Sequence, residues 1–209
     1  MDKYDFALDM ETDNSCSLIL RRMNKNCRVL EFGPAHGRMT RYMKEELNCT
    51  VDIVEYDDQA GKAAARFAER ALIGAENGDI TKFHWRREFA DTRYDFIVFA
   101  DVLEHITLPY EALRYAAELL KDDGVILVSV PNVAHNSLII SAWNDKFPYS
   151  EVGLLDNTHI HLFAHNTFIG NLKNCRLYVD QAITADVAVN LTEFAAAYER
   201  MQNIDQQIT

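Results

Sequence analysis

Residues 27–38 read CRVLEFGPAHGR. The apolar run at 27–32 is typical of a strand that is buried on both faces. A glycine turn follows it and leads into a helical pattern that begins near Arg38. Because Gly33 and Gly37 lack a Cβ, a ligand can approach the backbone of this turn closely. The stretch therefore predicts a strand–turn–helix unit at which an α/β protein binds a ligand.

Four carboxylates continue this pattern along the chain, each at the end of a candidate strand. They are Glu31, Glu55, Asp79 and Asp101, and the gaps between them are 24, 24 and 22 residues. Such a gap is the length of one βα unit. Since the carboxyl ends of parallel strands open onto one crevice, the four acids are expected to face the same ligand site. With the glycine turn, they predict a nucleoside-binding fold.

The hydrophobic pattern predicts alternating strands and helices. Predicted strands lie at 27–32, 51–56, near 73–77, at 94–100 and at 124–130, the last after an Asp123-Gly124 turn. Predicted helices lie at 14–24, 38–47, 59–72, 81–90 and 109–120. After Pro131 we predict helices at 133–144 and 166–174, a strand at 176–184 and a helix at 190–204. The alternation predicts an α/β fold, a doubly wound and mostly parallel sheet.

The length of 209 residues suits one domain with a full core. We divide it into an N-terminal helical segment (1–26), a ligand-binding core (27–131), a substrate lid (132–165) and a C-terminal part with a strand and helices (166–209).

The composition excludes several classes of protein. The net charge of −11 argues against a nucleic-acid partner, which requires clustered Lys and Arg. No apolar run reaches the roughly 18 residues that would span a bilayer. The N-terminus is acidic, unlike a signal or transit peptide, and the four cysteines are scattered without a C-x-x-C pair. We therefore predict a cytoplasmic protein with reduced cysteines, and leave open a homodimer.

The glycine turn differs from the dinucleotide fingerprint G-x-G-x-x-G, because Arg38 and Met39 stand where the third glycine would be. The following helix therefore need not receive a pyrophosphate. A nucleoside ligand without phosphates, such as S-adenosylmethionine, fits the pattern better.

Five stretches together resemble, in order, the motifs of class I S-adenosylmethionine-dependent methyltransferases with their Rossmann-like fold. They are VLEFGPAHGRMTRYM, VDIVEYD, GDI, YDFIVFADVLEHI and LLKDDGVILVSVPN. Two later segments, PNVAH (131–135) and GLLDNTHIHLF (153–163), are similar to bacterial members found in surface-polysaccharide gene clusters, and to MetW-like proteins. The resemblance covers about residues 1–185. It implies a methyltransferase acting on a hydroxyl of a saccharide or another small molecule, with S-adenosylhomocysteine as product.

The resemblance also implies roles for individual residues. The methionine end of the cofactor would lie along Glu31, Gly33, Ala35 and Gly37. Glu55, with Tyr56 beside it, would accept hydrogen bonds from both ribose hydroxyls. Asp79 would accept from the adenine amino group, and the N–H of Ile80 would serve a ring nitrogen. Asp101 would lie beside the cofactor's ammonium group.

Two features depart from the family pattern. Ala35 stands where a glycine is usual, and it is small enough for us still to expect the cofactor. The family fold normally ends on an antiparallel strand, whereas after residue 185 the chain shows only a helical pattern. Either that strand is missing or the chain is part of a longer one.

Histidines are the candidate bases for removing a proton from an acceptor hydroxyl. We place His159 and His135 first and His105 third, with Asp156 as a group that orients one of them. We predict no metal site, because zinc needs three or four converging ligands and no such spacing is visible.

Two alternatives remain open from the sequence. One is a nicotinamide-dependent oxidoreductase, against which the missing glycine and the lack of a Tyr-x-x-x-Lys pair count. The other is a non-catalytic module that keeps the pocket and binds a partner protein.

Overall fold

The computed structural model describes residues 6–147 and 149–185, and within them five parallel strands form one sheet in the order β3-β2-β1-β4-β5. The strands are β1 (Arg28–Phe32), β2 (Thr50–Glu55), β3 (Arg70–Ile73), β4 (Tyr94–Ala100) and β5 (Leu120–Ser129). The helices are α1 (Ser15–Leu20), α2 (Arg38–Glu45), α3 (Asp58–Ala64), α4 (Gly74–Asn77), α5 (His84–Glu88), α6 (Pro109–Ala117), α7 (Asn136–Trp143) and α8 (His165–Asn174). Short 3₁₀ turns span Ile80–Lys82 and Leu103–His105.

Helices cover both faces of the sheet, as predicted. Leu30 and Phe32 of β1 face a core that includes residues of α5, α6 and α8. Val29, the alternate residue, faces a second core formed with α1, α2 and α3. The apolar runs of the central strands therefore supply two cores at once, which is the physical meaning of a doubly wound α/β fold.

The third βα unit differs from the prediction. We expected a helix at 59–72 and a strand near 73–77, but α3 ends at Ala64, β3 spans Arg70–Ile73, and 74–77 form the short helix α4. The alanine-rich pattern suggested a longer helix, yet tertiary contacts decide otherwise. β3 pairs with β2, and the Arg70 guanidinium binds the buried Asp52 carboxylate, with 2.9 Å between Nη2 and Oδ2.

The stretch 81–90, predicted to be helical but irregular, consists of the end of the Ile80–Lys82 turn and of α5, as expected. One other predicted boundary was wrong. Asp123-Gly124 lies inside β5 as a bulge instead of preceding the strand, since the pairing of β4 with β5 shifts between Tyr94 and Phe96. A Cβ on Gly124 would lie 2.7 Å from the Tyr94 carbonyl oxygen, so the bulge requires glycine.

The predicted strand at 176–184 is also wrong, because those residues form neither helix nor strand. Tyr178 is 94% exposed, and no strand among residues 6–147 and 149–185 lies beside β5 to form the next pair. An alternating pattern without a hydrogen-bonding neighbour does not make a strand. The helix predicted at 190–204 lies outside the described residues.

At the other end of the chain, α1 matches the N-terminal helix that we predicted. Asn14 caps it, and a capping box pairs the Asn14 and Ser17 side chains with each other's backbone N–H groups. The four cysteines are free, as expected. In the part of the chain that the structure describes, the helices are too short or too polar to cross a bilayer.

Candidate active site

One open cleft extends from the carboxyl ends of the strands along β5, and almost all the predicted site residues line it. It is lined by Glu31, Gly33, Ala35, Glu55, Tyr56, Asp79, Ile80, Asp101, His105, His135 and His159. The exception among the predicted residues is Gly37, which does not line the cleft. The cleft thus joins the acids from the strand ends to the histidines from the predicted lid.

The glycine turn is held tightly against the sheet. The Gly33 N–H donates to the Val54 carbonyl oxygen at 2.9 Å, and Gly33 has a φ of 65°. A Cβ on this residue would lie 2.6 Å from Cγ2 of Val102. Both the left-handed backbone and the close neighbour therefore require glycine here.

Gly37 has a reason of its own to be glycine. It precedes α2 with a φ of 83°, and a Cβ there would lie 2.6 Å from the Ala64 Cα in α3. The residue lets two helices approach each other, so its presence in the motif is explained by packing. The contact with the cofactor that we predicted for it stays a prediction.

Glu55 links the end of β2 to the glycine turn. Its Oε2 accepts the Ala35 N–H at 2.9 Å, and its Oε1 accepts the Asp57 N–H at 2.8 Å. The residue is 8% exposed, and burial raises the pKa of its carboxyl group. The residue that caps α3 is Asp57, because its Oδ1 accepts hydrogen bonds from the N–H groups of Gln59 and Ala60. Glu55 is therefore a cleft residue and not the cap of α3.

Glu31 is the most deeply buried of the four strand-end acids. It is 2% exposed, and its Oε2 accepts a hydrogen bond from the Thr40 hydroxyl at 2.6 Å. Burial first, and then the negative charge of Glu55, raise the pKa of Glu31 to about 7. At neutral pH this carboxyl group is poised between its two protonation states, which is common at functional sites.

Asp79 lies at the start of the Ile80–Lys82 turn. Its Oδ1 accepts from the Thr81 N–H at 2.9 Å and from the Thr81 hydroxyl at 2.6 Å. Gly78 brings this turn against β2, because a Cβ on Gly78 would lie only 1.9 Å from the Glu55 carbonyl oxygen. The third predicted carboxylate is thereby placed next to the second.

Asp101 follows β4 with a φ of 54°, an uncommon conformation for a residue other than glycine. Its two oxygens accept from the hydroxyls of Ser129 at 2.8 Å and of Ser15 at 2.9 Å. Such strained positions cluster at functional sites. Two segments from different parts of the chain thus fix the side chain at the edge of the cleft.

The three candidate bases have different surroundings. His135 caps α7, with its Nδ1 accepting from Ser137. The rings of His105 and His159 lie together instead, with their centroids 4.8 Å apart. The His159 side chain is 6% exposed, and its Nδ1 lies 3.2 Å from the Leu154 carbonyl oxygen. Because a carbonyl oxygen only accepts, Nδ1 of His159 carries the proton.

Asp156 orients His105 through Thr158. The Thr158 hydroxyl donates to Oδ1 of Asp156 at 2.7 Å and lies 3.0 Å from Nδ1 of His105. The Thr158 carbonyl oxygen is also 3.3 Å from the same nitrogen. These contacts favour the tautomer of His105 with the proton on Nδ1 and a lone pair on Nε2.

The sequence analysis missed Glu104. This residue is 1% exposed, lines the cleft, and has no hydrogen-bond partner for either carboxylate oxygen within the described residues. Burial, together with the negative charges of Asp101 and Asp156, raises the pKa of Glu104 to about 8. Its Oε1 lies 3.9 Å from Nε2 of His159. The only signal in the sequence was its place three residues after Asp101 in the motif YDFIVFADVLEHI.

The segment that we predicted to be a lid is anchored to the backbone of Glu104. The N–H groups of Ile160 and His161 donate to the Glu104 carbonyl oxygen at 2.9 and 3.1 Å. Leu155 is fully buried and packs with Leu138 of α7. The segment that carries His159 is therefore docked on the Leu103–His105 turn, which brings residues far apart in sequence into one cluster.

The comparisons with known proteins agree with this architecture. The sequence profile of a family described as "Methyltransferase domain" matches residues 9–179, which is well over half of the chain. The chain therefore belongs to the methyltransferase-domain family. No curated protein sequence matches it significantly.

Solved structures show the same fold at low sequence identity. A Haloferax volcanii complex containing the Trm112 methyltransferase activator matches with a TM-score of 0.59 and 15% identity, over 89% of this chain and 83% of that one. The plantazolicin methyltransferase BpumL, in complex with SAH, matches with a TM-score of 0.55 and 15% identity, over 95% and 76%. A SAM-dependent methyltransferase from Thermotoga maritima matches with a TM-score of 0.52 and 15% identity, over 77% and 68%.

Proposed function

We propose that this protein transfers a methyl group from S-adenosylmethionine to a hydroxyl group of a saccharide or another small molecule. One observation carries the proposal. Buried acids from the ends of adjacent strands meet a glycine turn at one cleft, in a chain of the methyltransferase-domain family. Within residues 6–147 and 149–185, neither Glu31 nor Glu55 forms a salt bridge with Lys or Arg.

The acids suit the cofactor by charge and by hydrogen bonding. Each Glu55 oxygen accepts one backbone N–H, and a carboxylate oxygen can accept a second hydrogen bond, here from a ribose hydroxyl. Glu31 and Asp101 offer negative charge to the ammonium group. Asp79 and the N–H of Ile80 serve the adenine edge. SAH in the BpumL complex is consistent with this assignment.

The chemistry is an in-line displacement. When bound, the cofactor supplies an activated methyl group: the S–CH₃ bond breaks, the O–CH₃ bond forms, and the electron pair goes to sulfur. The protein's first task is alignment of the acceptor oxygen in the cleft. Its second task is to promote the loss of the hydroxyl proton, and we assign this task to the cluster of Glu104, His105 and His159. His135 is the remaining candidate, although its Nδ1 is engaged in capping α7.

The saccharide acceptor rests on the PNVAH and GLLDNTHIHLF segments, which resemble enzymes of surface-polysaccharide clusters. In support, four residues of these segments line the same cleft as the strand-end acids: Asn132, His135, Leu154 and Asp156. Membership of the methyltransferase-domain family decides against a nicotinamide-dependent oxidoreductase. A non-catalytic module would bind the cofactor without turnover.

The test is a methyl-transfer assay with S-adenosylmethionine labelled on the methyl group. A panel of saccharide hydroxyl acceptors is compared with matched amines and thiols. We expect label in a hydroxyl product together with an equal amount of S-adenosylhomocysteine. Label only in amine or thiol products would refute the acceptor class. Cofactor binding by calorimetry without turnover on any acceptor would favour the non-catalytic module.

A further inference from the structure

The carboxylate of Glu104 has an unusual environment. It is almost fully buried, and neither oxygen has a hydrogen-bond partner among the described residues. A buried carboxylate normally has a cation or several donors around it, because burial without them costs several kcal/mol (order of magnitude). Glu104 lines the cleft, so a group bound there can supply the missing partner.

Two histidines present their rings at the same point. One oxygen of Glu104, one ring nitrogen of His105 and one of His159 all lie within 4.8 Å of one another. Two ligand atoms that bind one ion at about 2.0–2.2 Å are at most about 4.4 Å apart. A small closure of the cluster would therefore suffice for all three to bind the same ion.

The Nδ1 atoms of both histidines are already engaged with the protein. Nδ1 of His159 donates to the Leu154 carbonyl oxygen, and Nδ1 of His105 faces the carbonyl and hydroxyl oxygens of Thr158. Metal-bound histidines usually donate their second nitrogen to a backbone carbonyl or a carboxylate in this way. With Nδ1 engaged in this way, Nε2 is the nitrogen that would bind the ion, and Asp156 supports His105 through Thr158.

We propose that Glu104, His105 and His159 bind one divalent first-row transition ion, such as Mn²⁺, Fe²⁺, Co²⁺ or Zn²⁺. Two imidazoles and one carboxylate are the ligand set that such ions accept while keeping positions open for a substrate. The sequence had predicted no metal site because ligand spacing was absent. The fold supplies the convergence, since His105 and Thr158 are 53 positions apart.

The ion's role rests on the proposed function. In an open coordination position it holds the acceptor hydroxyl and lowers its pKa, as a metal does for bound water. The hydroxyl proton leaves to water in the open cleft, and the metal-held oxygen then takes the methyl group. In this arrangement His105 and His159 act as ligands and not as bases.

The first experiment measures metal binding by the cofactor-free protein after treatment with EDTA and dialysis. Titration with Co²⁺, followed by its visible absorption, and with Mn²⁺, followed by electron paramagnetic resonance, should each give one ion per chain. Glu104→Gln and His159→Ala should each weaken the affinity at least tenfold. His161→Ala is the matched control, because it lies two residues from His159 on the same segment, and it should bind normally.

Glu104→Gln also shows whether a loss of metal binding could be due to misfolding. It removes a buried carboxylate that has no partner, so the metal-free variant should unfold at the same temperature as the parent or higher. A parent protein that binds neither ion, or binding that both variants retain, would overturn the site. Methyl transfer that is unchanged in EDTA would overturn the catalytic role. Cofactor titration of the metal-free protein is a separate measurement, so its failure would count against the proposed function and not against the metal site.

Discussion

Buried acids near the two ends of the sheet have opposite surroundings. Toward the amino ends of the strands, Asp52 is fully buried and binds Arg28, Arg70 and Tyr94 at 3.0, 2.9 and 2.7 Å. Burial alone would raise the pKa of Asp52, but the hydrogen bonds from these three residues outweigh it and hold that pKa below its usual value. At the carboxyl ends, burial raises the pKa values of Glu31 and Glu104.

Asp52 serves the fold, whereas the acids at the carboxyl ends are those that we propose to serve a ligand. The protein itself supplies the counter-charge for Asp52. Within the described residues no Lys or Arg forms a salt bridge with Glu31, Glu55 or Glu104. Acids that the fold leaves without a cation are expected where a cationic ligand binds. The proposed cofactor, with its sulfonium and ammonium groups, and the proposed metal ion are both cationic.

The largest effect is expected from removing the acid that serves the fold. Asp52→Ala removes the buried carboxylate that two guanidinium groups and the Tyr94 hydroxyl share as an acceptor, and should lower the free energy of unfolding by about 3–5 kcal/mol. Urea unfolding at pH 7 measures this. Asp91→Ala is the control, because Asp91 contacts the same Arg70 but has a 79% exposed side chain, so it should change the stability much less. An equal loss of stability in the two variants would show that the buried Asp52 carboxylate is no more important to the fold than an exposed one.

The pH dependence of stability tests the environment of Glu31, at the carboxyl ends of the strands. Because the pKa of Glu31 is raised from 4.5 to about 7, its ionisation destabilises the folded protein. The contribution of Glu31 to the parent's free energy of unfolding is complete below pH 4.5. It decreases as the pH rises to about 7 and is constant above that pH. Glu31→Gln lacks this loss, so the free energy of unfolding of the variant relative to the parent should rise by up to about 3 kcal/mol across that window. Urea unfolding at pH 4.5, 6 and 8 would show a constant difference if the Glu31 carboxyl group were not perturbed.

A third test of the difference between the two groups of acids measures cofactor affinity. Glu55→Ala removes a charged hydrogen-bond acceptor worth about 1.5–3 kcal/mol, so the affinity for S-adenosylmethionine should fall tenfold or more. Calorimetry measures it. Asp57→Ala is the matched control, because it removes only the cap of α3 and should cost about 1 kcal/mol of stability with unchanged affinity. Unchanged affinity in the Glu55 variant would assign this acid to the turn alone.

The residues that the sequence placed correctly are those governed by local pattern. Continuous apolar runs located β1, β2 and β4, and an acid at a strand end follows directly from the strand's position. The cap of α3 was expected at Asp57 or Asp58 and lies at Asp57, since capping depends on neighbours in sequence. The side of the cleft that carries the strand-end acids is built in this local way, one βα unit after another.

The wrong or missing predictions concern residues whose structure depends on segments that are distant in sequence. Nothing local distinguishes Arg70–Ile73 from the end of an alanine-rich helix, because the ion pair with Asp52 and the pairing with β2 are tertiary. No pattern singled out Glu104, and its place in the cluster depends on the segment around Ile160, which docks on its backbone from more than fifty residues away. Contacts between residues that are far apart in sequence produce no periodicity or characteristic spacing in a single sequence.

The smallest expected effect concerns Ala35, where the family pattern has glycine. Its φ of 48° costs alanine about 1 kcal/mol that glycine would not incur. Glycine is also more flexible in the unfolded chain, which costs about 0.4–1 kcal/mol in the opposite direction. Ala35→Gly should therefore change the free energy of unfolding by less than about 1 kcal/mol, with a gain as the expected sign.

The same variant tests how Glu55 is held. Its Oε2 accepts from the Ala35 backbone N–H, which glycine also provides, so cofactor affinity measured by calorimetry should stay within about twofold of the parent. Ala35→Pro is the contrasting variant, because proline has no N–H to donate and cannot adopt a positive φ. A large loss of affinity in Ala35→Gly would mean that the Ala35 methyl group itself contacts the cofactor. Retained affinity in both variants would show that the backbone bond to Glu55 does not position that carboxylate for binding.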